Sequence, residues 1–317
     1  MSKQTTHDLV ILGGTGFVGS HLVPRFAAGG HRVLVLSRNR EQQRHLAVIP
    51  EVTVRSADVY DRAVLARHFA GARAVVNLVG ILNESGFDGS GFRRAHVELP
   101  TTVLGAMGDA GVRRLLHMSS LRAGEGESHY LRTRGEAERL VKASGTDWTI
   151  FQPSVIFGPG DGLFTRFAGL LRLAPFMPLG RPGAKLAPVY VGDVCEAFVR
   201  ALGDATTIGR SYELYGEPMT LREIVAYTRE HLGLTRPIIG LPDPLGWLQA
   251  ALLGLVPGKP MSLDNWKSLA VDSVGRSDGL AALGIPHTPV SAIVPRMLLG
   301  ELGKQDELDR YRQRREP

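Results

Sequence analysis

Three glycines, Gly13, Gly16 and Gly19, fall at every third position of "GGTGFVGSHLV", directly after the apolar run Leu9–Leu12. At the junction of a strand and a helix this spacing has one chemical use. The first glycine permits a tight turn, the second lets backbone N–H groups approach an anion, and the third lets helix and strand pack closely. The positive end of the helix then faces the anion. The ligand expected is a dinucleotide, its pyrophosphate cradled by Gly13, Thr15, Gly16, Phe17, Val18 and Gly19.

The end of the next apolar run, Arg32–Leu36, decides which dinucleotide. A free ribose 2′-hydroxyl is usually met there by a carboxylate. Here Ser37 and Arg38 follow, and no acid appears before Glu41. A hydroxyl and a guanidinium suit a 2′-phosphate, which an acid would repel. NADP(H) is therefore the preferred cofactor, with NAD(H) the alternative. Asp58 and Val59, after a third run, are expected beside the adenine. Asn77, Leu78, Val79 and Gly80, after a fourth, are expected beside the ribose. The ten histidines show no ligand spacing with a carboxylate or with Cys195, so no metal site is expected.

Positioning these residues takes a regular scaffold. Strand-like runs at Leu9–Leu12, Arg32–Leu36, Val52–Val54, Ala74–Leu78, Leu115–Met118 and Trp148–Phe151 alternate with helix-like stretches at Phe17–Ala28, Arg62–Phe69, Phe92–Ala110 and Tyr130–Ala143. Continuous apolar strands alternating with helices imply a parallel sheet covered on both faces. The fold class is α/β: an NAD(P)-binding Rossmann fold, a doubly wound parallel sheet with a smaller C-terminal substrate lobe. Residues 1–155, with 187–208 returning, are expected to form the dinucleotide domain, 156–186 and 209–300 the lobe, and 301–317 a charged tail. Within the lobe, Leu245–Val256 is a dozen apolar residues ended by Pro257. It is shorter than the roughly 18 residues a membrane span needs. It reads as a core helix, or as one that touches a membrane or a partner.

Composition excludes several classes. A single cysteine, Cys195, rules out an internal disulfide framework and reads as a packing residue. The N-terminal residues Met1–Asp8 lack the basic-then-apolar pattern of a signal peptide. The net charge of +6 comes with arginines spread along the chain and no nucleic-acid module, so no nucleic-acid partner is expected. Anionic small molecules, acidic lipid headgroups or solubility alone account for the charge equally well.

The order of the glycine motif, Asp58–Val59, "NLVG" at 77–80, "HMSS" at 117–120, Tyr130 with Arg134, "PSVIFG" at 153–158 and "VYVGDV" at 189–194 resembles the extended and atypical short-chain dehydrogenase/reductases. Within them the chain is most similar to the branch of the accessory subunit of respiratory complex I that carries this fold. "YLRTRGEAERLV", "PSVIFGPGDGLF" and "LDNWKSLAVDSV" carry that part of the resemblance, and bacterial stand-alone members have similar length.

The resemblance implies roles. In active members a tyrosine is the general acid/base, a lysine four residues on assists it, and a serine after the fifth strand bonds the reacting oxygen. By position the serine is Ser120, with Ser119 the alternative, and the tyrosine is Tyr130. Arg134 stands where the lysine would. Arginine keeps the charge and can donate to a ribose, yet its planar fork does not relay protons at ordinary pH. Either Tyr130 packs against the cofactor while Arg134 grips ribose or phosphate, or the pair supports turnover. The resemblance also places Pro153, Ser154 and Val155 beside the nicotinamide. His96 reads as a structural histidine, and Asp161 as a substrate contact or a turn former.

Two functions follow. The first is an NADP(H)-binding atypical short-chain dehydrogenase/reductase-like protein, respiratory or quinone-linked, with cofactor held mainly structurally or for weak redox activity. The second is an active NADP-dependent reductase, dehydrogenase, epimerase or dehydratase. It would act on a small apolar carbonyl or a nucleotide-sugar through Ser120 and Tyr130. Phe164, Phe167, Phe176, Trp247 and Trp266 in the lobe favour an apolar ligand over a sugar nucleotide. Expected partners are a small-molecule or quinone-like ligand and a peripheral membrane or respiratory-complex contact. The expected location is the cytoplasm, with a peripheral position at the inner face of the membrane as the alternative.

Overall fold

The computed structural model describes residues 7–37, 46–257 and 259–302. In chain order, β1 (Leu9–Leu12), α1 (Phe17–Ala28), β2 (Val33–Ser37), β3 (Val52–Ser56), α2 (Arg62–Phe69), β4 (Ala74–Asn77) and α3 (Ser90–Arg93) come first. A turn of π-helix (Arg94–Glu98) leads into α4 (Leu99–Ala110), β5 (Arg114–Met118), α5 (His129–Lys142) and β6 (Asp147–Pro153). Shorter pieces follow: β7 (Ile156–Phe157), α6 (Phe164–Leu173), β8 (Met177–Gly180), β9 (Lys185–Leu186) and β10 (Val189–Tyr190). The rest comprises α7 (Val191–Gly203), β11 (Arg210–Leu214), β12 (Met219–Thr220), α8 (Leu221–His231), β13 (Ile238–Leu241), α9 (Asp243–Leu253), α10 (Leu263–Ser268), α11 (Gly279–Ala282) and α12 (Val290–Leu298).

The main sheet has seven strands in the order β11-β6-β5-β4-β1-β2-β3. The pairs β1–β2, β2–β3, β1–β4, β4–β5 and β5–β6 are all parallel. The expected Rossmann fold is present. β1 and β4 bury every side chain, and β2 all but its last, because helices cover both faces. The chain runs outward from β1 through β3 and then returns to β4, so the strand order reverses between β1 and β4. In such sheets ligands bind outside the carboxyl ends of the strands at this reversal.

Two compact units partition the chain. The first comprises the described residues up to Ser119, with Thr133–Gln152 and Cys195–Tyr212. Val10, Leu12, Leu34, Val75, Leu115 and Ile150 of its sheet pack with Leu65, Phe69, Val103 and Met107 of α2 and α4. The second comprises Ser120–Arg132, Pro153–Val194 and the described residues from Glu213 on. Phe157, Phe164, Ile224 and Val294 form one cluster in it, and Leu171, Met177, Leu179 and Val225 another.

Two expectations need correction. The helix expected over Phe92–Ala110 begins at Ser90 and is interrupted by the π-turn. There the Leu99 N–H reaches back five residues to the Arg94 carbonyl, and Pro100 has no N–H to continue the ordinary ladder. The stretch Leu245–Val256 is helical as far as Leu253 but is no core helix, since Gly246 and Ala250 are the residues of α9 that are buried.

Candidate functional site

The glycine loop joins β1 to α1 at the strand reversal. Gly13 has φ of +76°, and a Cβ there would stand 2.9 Å from both the Leu78 carbonyl carbon and the Val79 nitrogen. Only glycine fits. Gly16 is the N-cap of α1, with its N–H bonded to the Gly13 carbonyl at 3.0 Å. No side chain caps the helix and no acid occupies its first turn. The N–H groups at a helix start have no partner within the helix, and an uncapped, acid-free start such as this one favours an anion beside it. A Cβ on Gly19 would overlap the backbone of Gly13 and Gly14, so α1 sits tightly against the loop. Thr15 and Phe17 are half-buried, and Val18 is buried, with the Cys195 thiol 3.9 Å from its carbonyl.

Across the reversal, one row of the sheet aligns Leu12 with Asn77 and Asn77 with His117. Asn77 organises the next loop: its Oδ1 accepts from the Val79 N–H at 3.1 Å, and its Nδ2 lies 3.3 Å from His117 Nδ1. The Leu78 N–H bonds to the Leu12 carbonyl at 2.9 Å, so Leu78, Val79 and Gly80 form a shelf against Gly13. With Asn77 donating, His117 Nδ1 accepts and the ring proton sits on Nε2. Burial first, and then the Arg134 charge, lower the His117 pKa to about 3, so the ring is neutral. Among the described residues its buried Nε2 has no hydrogen-bond partner, and neither has the Ser119 or the Ser120 hydroxyl. Buried donors seldom stay orphaned, and within the first unit His117 Nε2 and the Ser119 hydroxyl are open to a ligand.

At the outer strands Ser37 ends β2 in register with Ser56, and Arg38 lies outside the described residues. Asp58 is exposed after β3, its Oδ1 accepting from the Tyr60 N–H at 2.9 Å, while Val59 turns into the core.

Arg134 on α5 is 6% exposed. Its Nη1 donates to the Met118 carbonyl at 2.9 Å, and a Cβ on Gly80 would overlap its Nη2. The guanidinium is thus seated between the end of β5 and the Gly80 shelf. Next to it Thr133 Oγ1 lies 3.0 Å from His96 Nδ1, and His96 Nε2 accepts from the Ile81 N–H at 3.2 Å. Burial, then the charge of Arg134, lowers the His96 pKa to about 2. His96 is thereby a neutral bridge within the unit.

In the second unit Tyr130 is half-buried near the start of α5, and one helical turn separates it from Arg134. The first turn is capped from far away: Asp264 accepts from the His129 N–H at 2.6 Å and from the Tyr130 N–H at 3.1 Å. Pro153 ends β6 and accepts from the Leu121 N–H at 2.8 Å. Ser154 donates to the Ser273 carbonyl at 2.8 Å and accepts from the Ala187 N–H at 3.2 Å, so its hydroxyl ties three segments together. The Val155 carbonyl accepts from the Val189 N–H at 3.0 Å. Asp161 caps its own loop, accepting from Thr165 N–H at 2.9 Å, and burial pushes its carboxyl above the ordinary range. Sequence reasoning missed Asp264, Ser273 and the Asn77–His117 pair. Spacing holds no signal for the first two, since their partners lie over a hundred residues away.

A family described as NAD(P)H-binding matches residues 13–162, the stretch from the glycine loop to the end of the Gly158–Gly162 turn. Ceramide reductase of Caulobacter vibrioides is 30% identical over 307 residues, covering 92% of this chain and 89% of that protein. The chain belongs to the atypical short-chain dehydrogenase/reductases. Within this family it is also similar to mouse NADH dehydrogenase [ubiquinone] 1 alpha subcomplex subunit 9, mitochondrial, at 29% identity over 88% of the chain and 76% of that protein. Its fold is that of a dTDP-glucose 4,6-dehydratase from Streptomyces venezuelae, with TM-score 0.72 and 22% identity over 92% of this chain and 95% of that one. The chain is therefore an NAD(P)-binding short-chain dehydrogenase/reductase-like protein, related both to the complex I subunits and to reductases. In the first unit the glycine loop, the uncapped start of α1 and the orphaned donors at His117 Nε2 and Ser119 fit such a cofactor.

Proposed function

We propose that this protein binds NADP(H) and holds it chiefly as a structural or slowly used cofactor, in a respiratory or quinone-linked setting at the periphery of the cytoplasmic face of a membrane. Arg134 carries the reading. A lysine in its place would offer a point charge able to assist Tyr130. The guanidinium is instead buried, bonded to the Met118 carbonyl and seated against Gly80. That position suits a group that braces the end of β5 better than one that relays a proton. The residues around the loop would share the cofactor: Gly13, Thr15, Gly16, Phe17, Val18 and Gly19 the pyrophosphate, Ser37 and Arg38 the 2′-phosphate, Asp58 and Val59 the adenine. Asn77, Leu78, Val79 and Gly80 would hold the ribose, and Pro153, Ser154 and Val155 the nicotinamide, which when bound supplies a hydride. Retained cofactor stabilises the fold by mass action. The likeness to a mouse NADH dehydrogenase subunit supports the respiratory setting.

A second reading has its own support. The Ser120 hydroxyl is buried without a partner among the described residues, and the likeness to a ceramide reductase spans nearly the whole chain. In this reading Ser120 donates to the oxygen of a small apolar carbonyl and the Tyr130 phenol delivers it a proton; a nucleotide-sugar is the substrate alternative.

Arg38→Ala tests the cofactor. Loss of a charged hydrogen bond to a 2′-phosphate costs about 1.5–3 kcal/mol, so NADPH affinity should fall roughly 10- to 150-fold and NADH affinity hardly at all. Equal losses for the two would refute the 2′-phosphate assignment. Tyr130→Phe separates the readings: unchanged cellular function with cofactor retained supports the first, and loss of function with cofactor retained supports the second.

A further inference from the structure

We propose that α9 and the surface beside it form a docking face for an anionic lipid bilayer, on which the protein lies without crossing it. This deepens the peripheral-membrane setting proposed above and rests on it for its context. Helix α9 is inside out. After Asp243 its one polar side chain is Gln249, and that side chain points inward. Its Oε1 accepts from the Gly180 N–H at 3.2 Å and its Nε2 donates to the Pro178 carbonyl at 2.8 Å. The other inward residues are small, and a Cβ on Gly246 would come 2.5 Å from the Trp266 ring. The large apolar residues face away: Leu245, Trp247, Leu248, Leu252, Leu255 and Val256 are 43–72% exposed. The neighbouring strands extend the patch through Phe176 before β8 and Ile239 in β13, and Leu173 at the end of α6 is 86% exposed. The aromatic residues expected to line a ligand site thus divide, with Phe164 and Trp266 in the core and Phe176 and Trp247 at the surface.

Charge selects the occupant. From Gly162 to Gly192 the chain carries Arg166, Arg172, Arg181 and Lys185 and no acid; from Pro244 to Leu263 it carries Lys259 and no acid. Arg172, beside Leu173, and Lys267 on α10 are exposed. Of the flanking acids, Asp264 is engaged by the His129 and Tyr130 N–H groups, Asp272 accepts from the Lys185 N–H at 3.0 Å, and Asp243 stands in the first turn of α9. An apolar centre with an exposed tryptophan and a cationic, acid-poor surround matches a helix lying in the interface of an anionic bilayer. A second copy of this chain would bring cations against cations. Among the described residues no helix is long and apolar enough to cross a membrane.

Flotation of the full-length protein with vesicles tests this, comparing phosphatidylcholine alone with phosphatidylcholine plus phosphatidylglycerol. The protein should float with the anionic vesicles, less so as salt rises, and tryptophan emission should shift to the blue. Trp247→Phe should abolish the shift and keep most of the binding. Leu252→Glu with Leu255→Glu should lower vesicle affinity at least about tenfold, and so should Leu173→Glu on a separate helix, since each removes buried apolar area from the contact. Each variant is checked for an unchanged circular dichroism spectrum and unchanged NADPH affinity, which keeps this outcome separate from that of the cofactor reading. No flotation, flotation untouched by both sets of variants, or a dimer that the same substitutions dissociate would overturn the proposal.

Discussion

Gly80→Ala, made in the wild-type chain and in Arg134→Lys, tests whether shelf and guanidinium are matched in size. A Cβ at position 80 would overlap Arg134 Nη2 and stand 3.0 Å from the guanidinium carbon, so the whole fork must move. It has little room, being 6% exposed. Losing the bond to the Met118 carbonyl costs about 1.5–3 kcal/mol, as expected for a charged donor. Overpacking adds about 1–3 kcal/mol. The single variant should therefore lose roughly 2.5–6 kcal/mol, a fall in melting temperature of roughly 5–20 °C for a unit of this size. A lysine at 134 ends in a compact ammonium, so in that background Gly80→Ala should cost only about 1 kcal/mol. Thermal unfolding of all four proteins closes the cycle, and a coupling of at least about 1.5 kcal/mol is expected. Additivity within about 0.5 kcal/mol would refute the account of Arg134, and with it the chief argument for a bracing role.

Gly19→Ala should destabilise the first unit by about 1–3 kcal/mol and weaken NADPH binding, because its Cβ meets backbone that cannot turn away. Gly108→Ala, a helical position with open space around it, should instead be neutral or stabilising by up to about 1 kcal/mol; similar losses at both sites would discredit the packing argument. Acid should destabilise the protein through His96 and His117, whose folded pKa values of about 2 and about 3 lie below the ordinary 6.5. Below about pH 6.5 the unfolded chain takes up protons that the folded one refuses, so stability rises with pH and is lost as pH falls toward the folded values. The two rings together give a slope of up to about 2.7 kcal/mol per pH unit between roughly pH 6 and 4. His117→Asn should flatten the denaturant-derived slope by about half; an unchanged slope would mean that the ring is not held neutral.

The local signals were legible where each could act over a few residues. The helices expected at Phe17–Ala28 and Arg62–Phe69 have those bounds, and β1, β2 and β4 lie on the continuous apolar runs. The glycine loop was equally readable, because a positive φ at Gly13 and close approach at Gly19 leave glycine as the one residue that fits. The π-turn was not, since apolar periodicity does not report whether a carbonyl is met four or five residues on. Asp264 was not either: a carboxylate that caps a helix 134 residues earlier in the chain leaves no mark in spacing.

The amino-acid order by itself therefore determined the sheet, the glycine loop and the family, because hydrophobic period, turn residues and helix ends are governed by neighbours along the chain. Tertiary structure decided the rest. It turned Arg134 toward Met118 and Gly80 and left His117 Nε2 and the Ser119 and Ser120 hydroxyls without partners among the described residues. It also set the apolar side of α9 outward. These outcomes depend on which segments meet through space and on the room left between them, and neither quantity exists until the chain has folded.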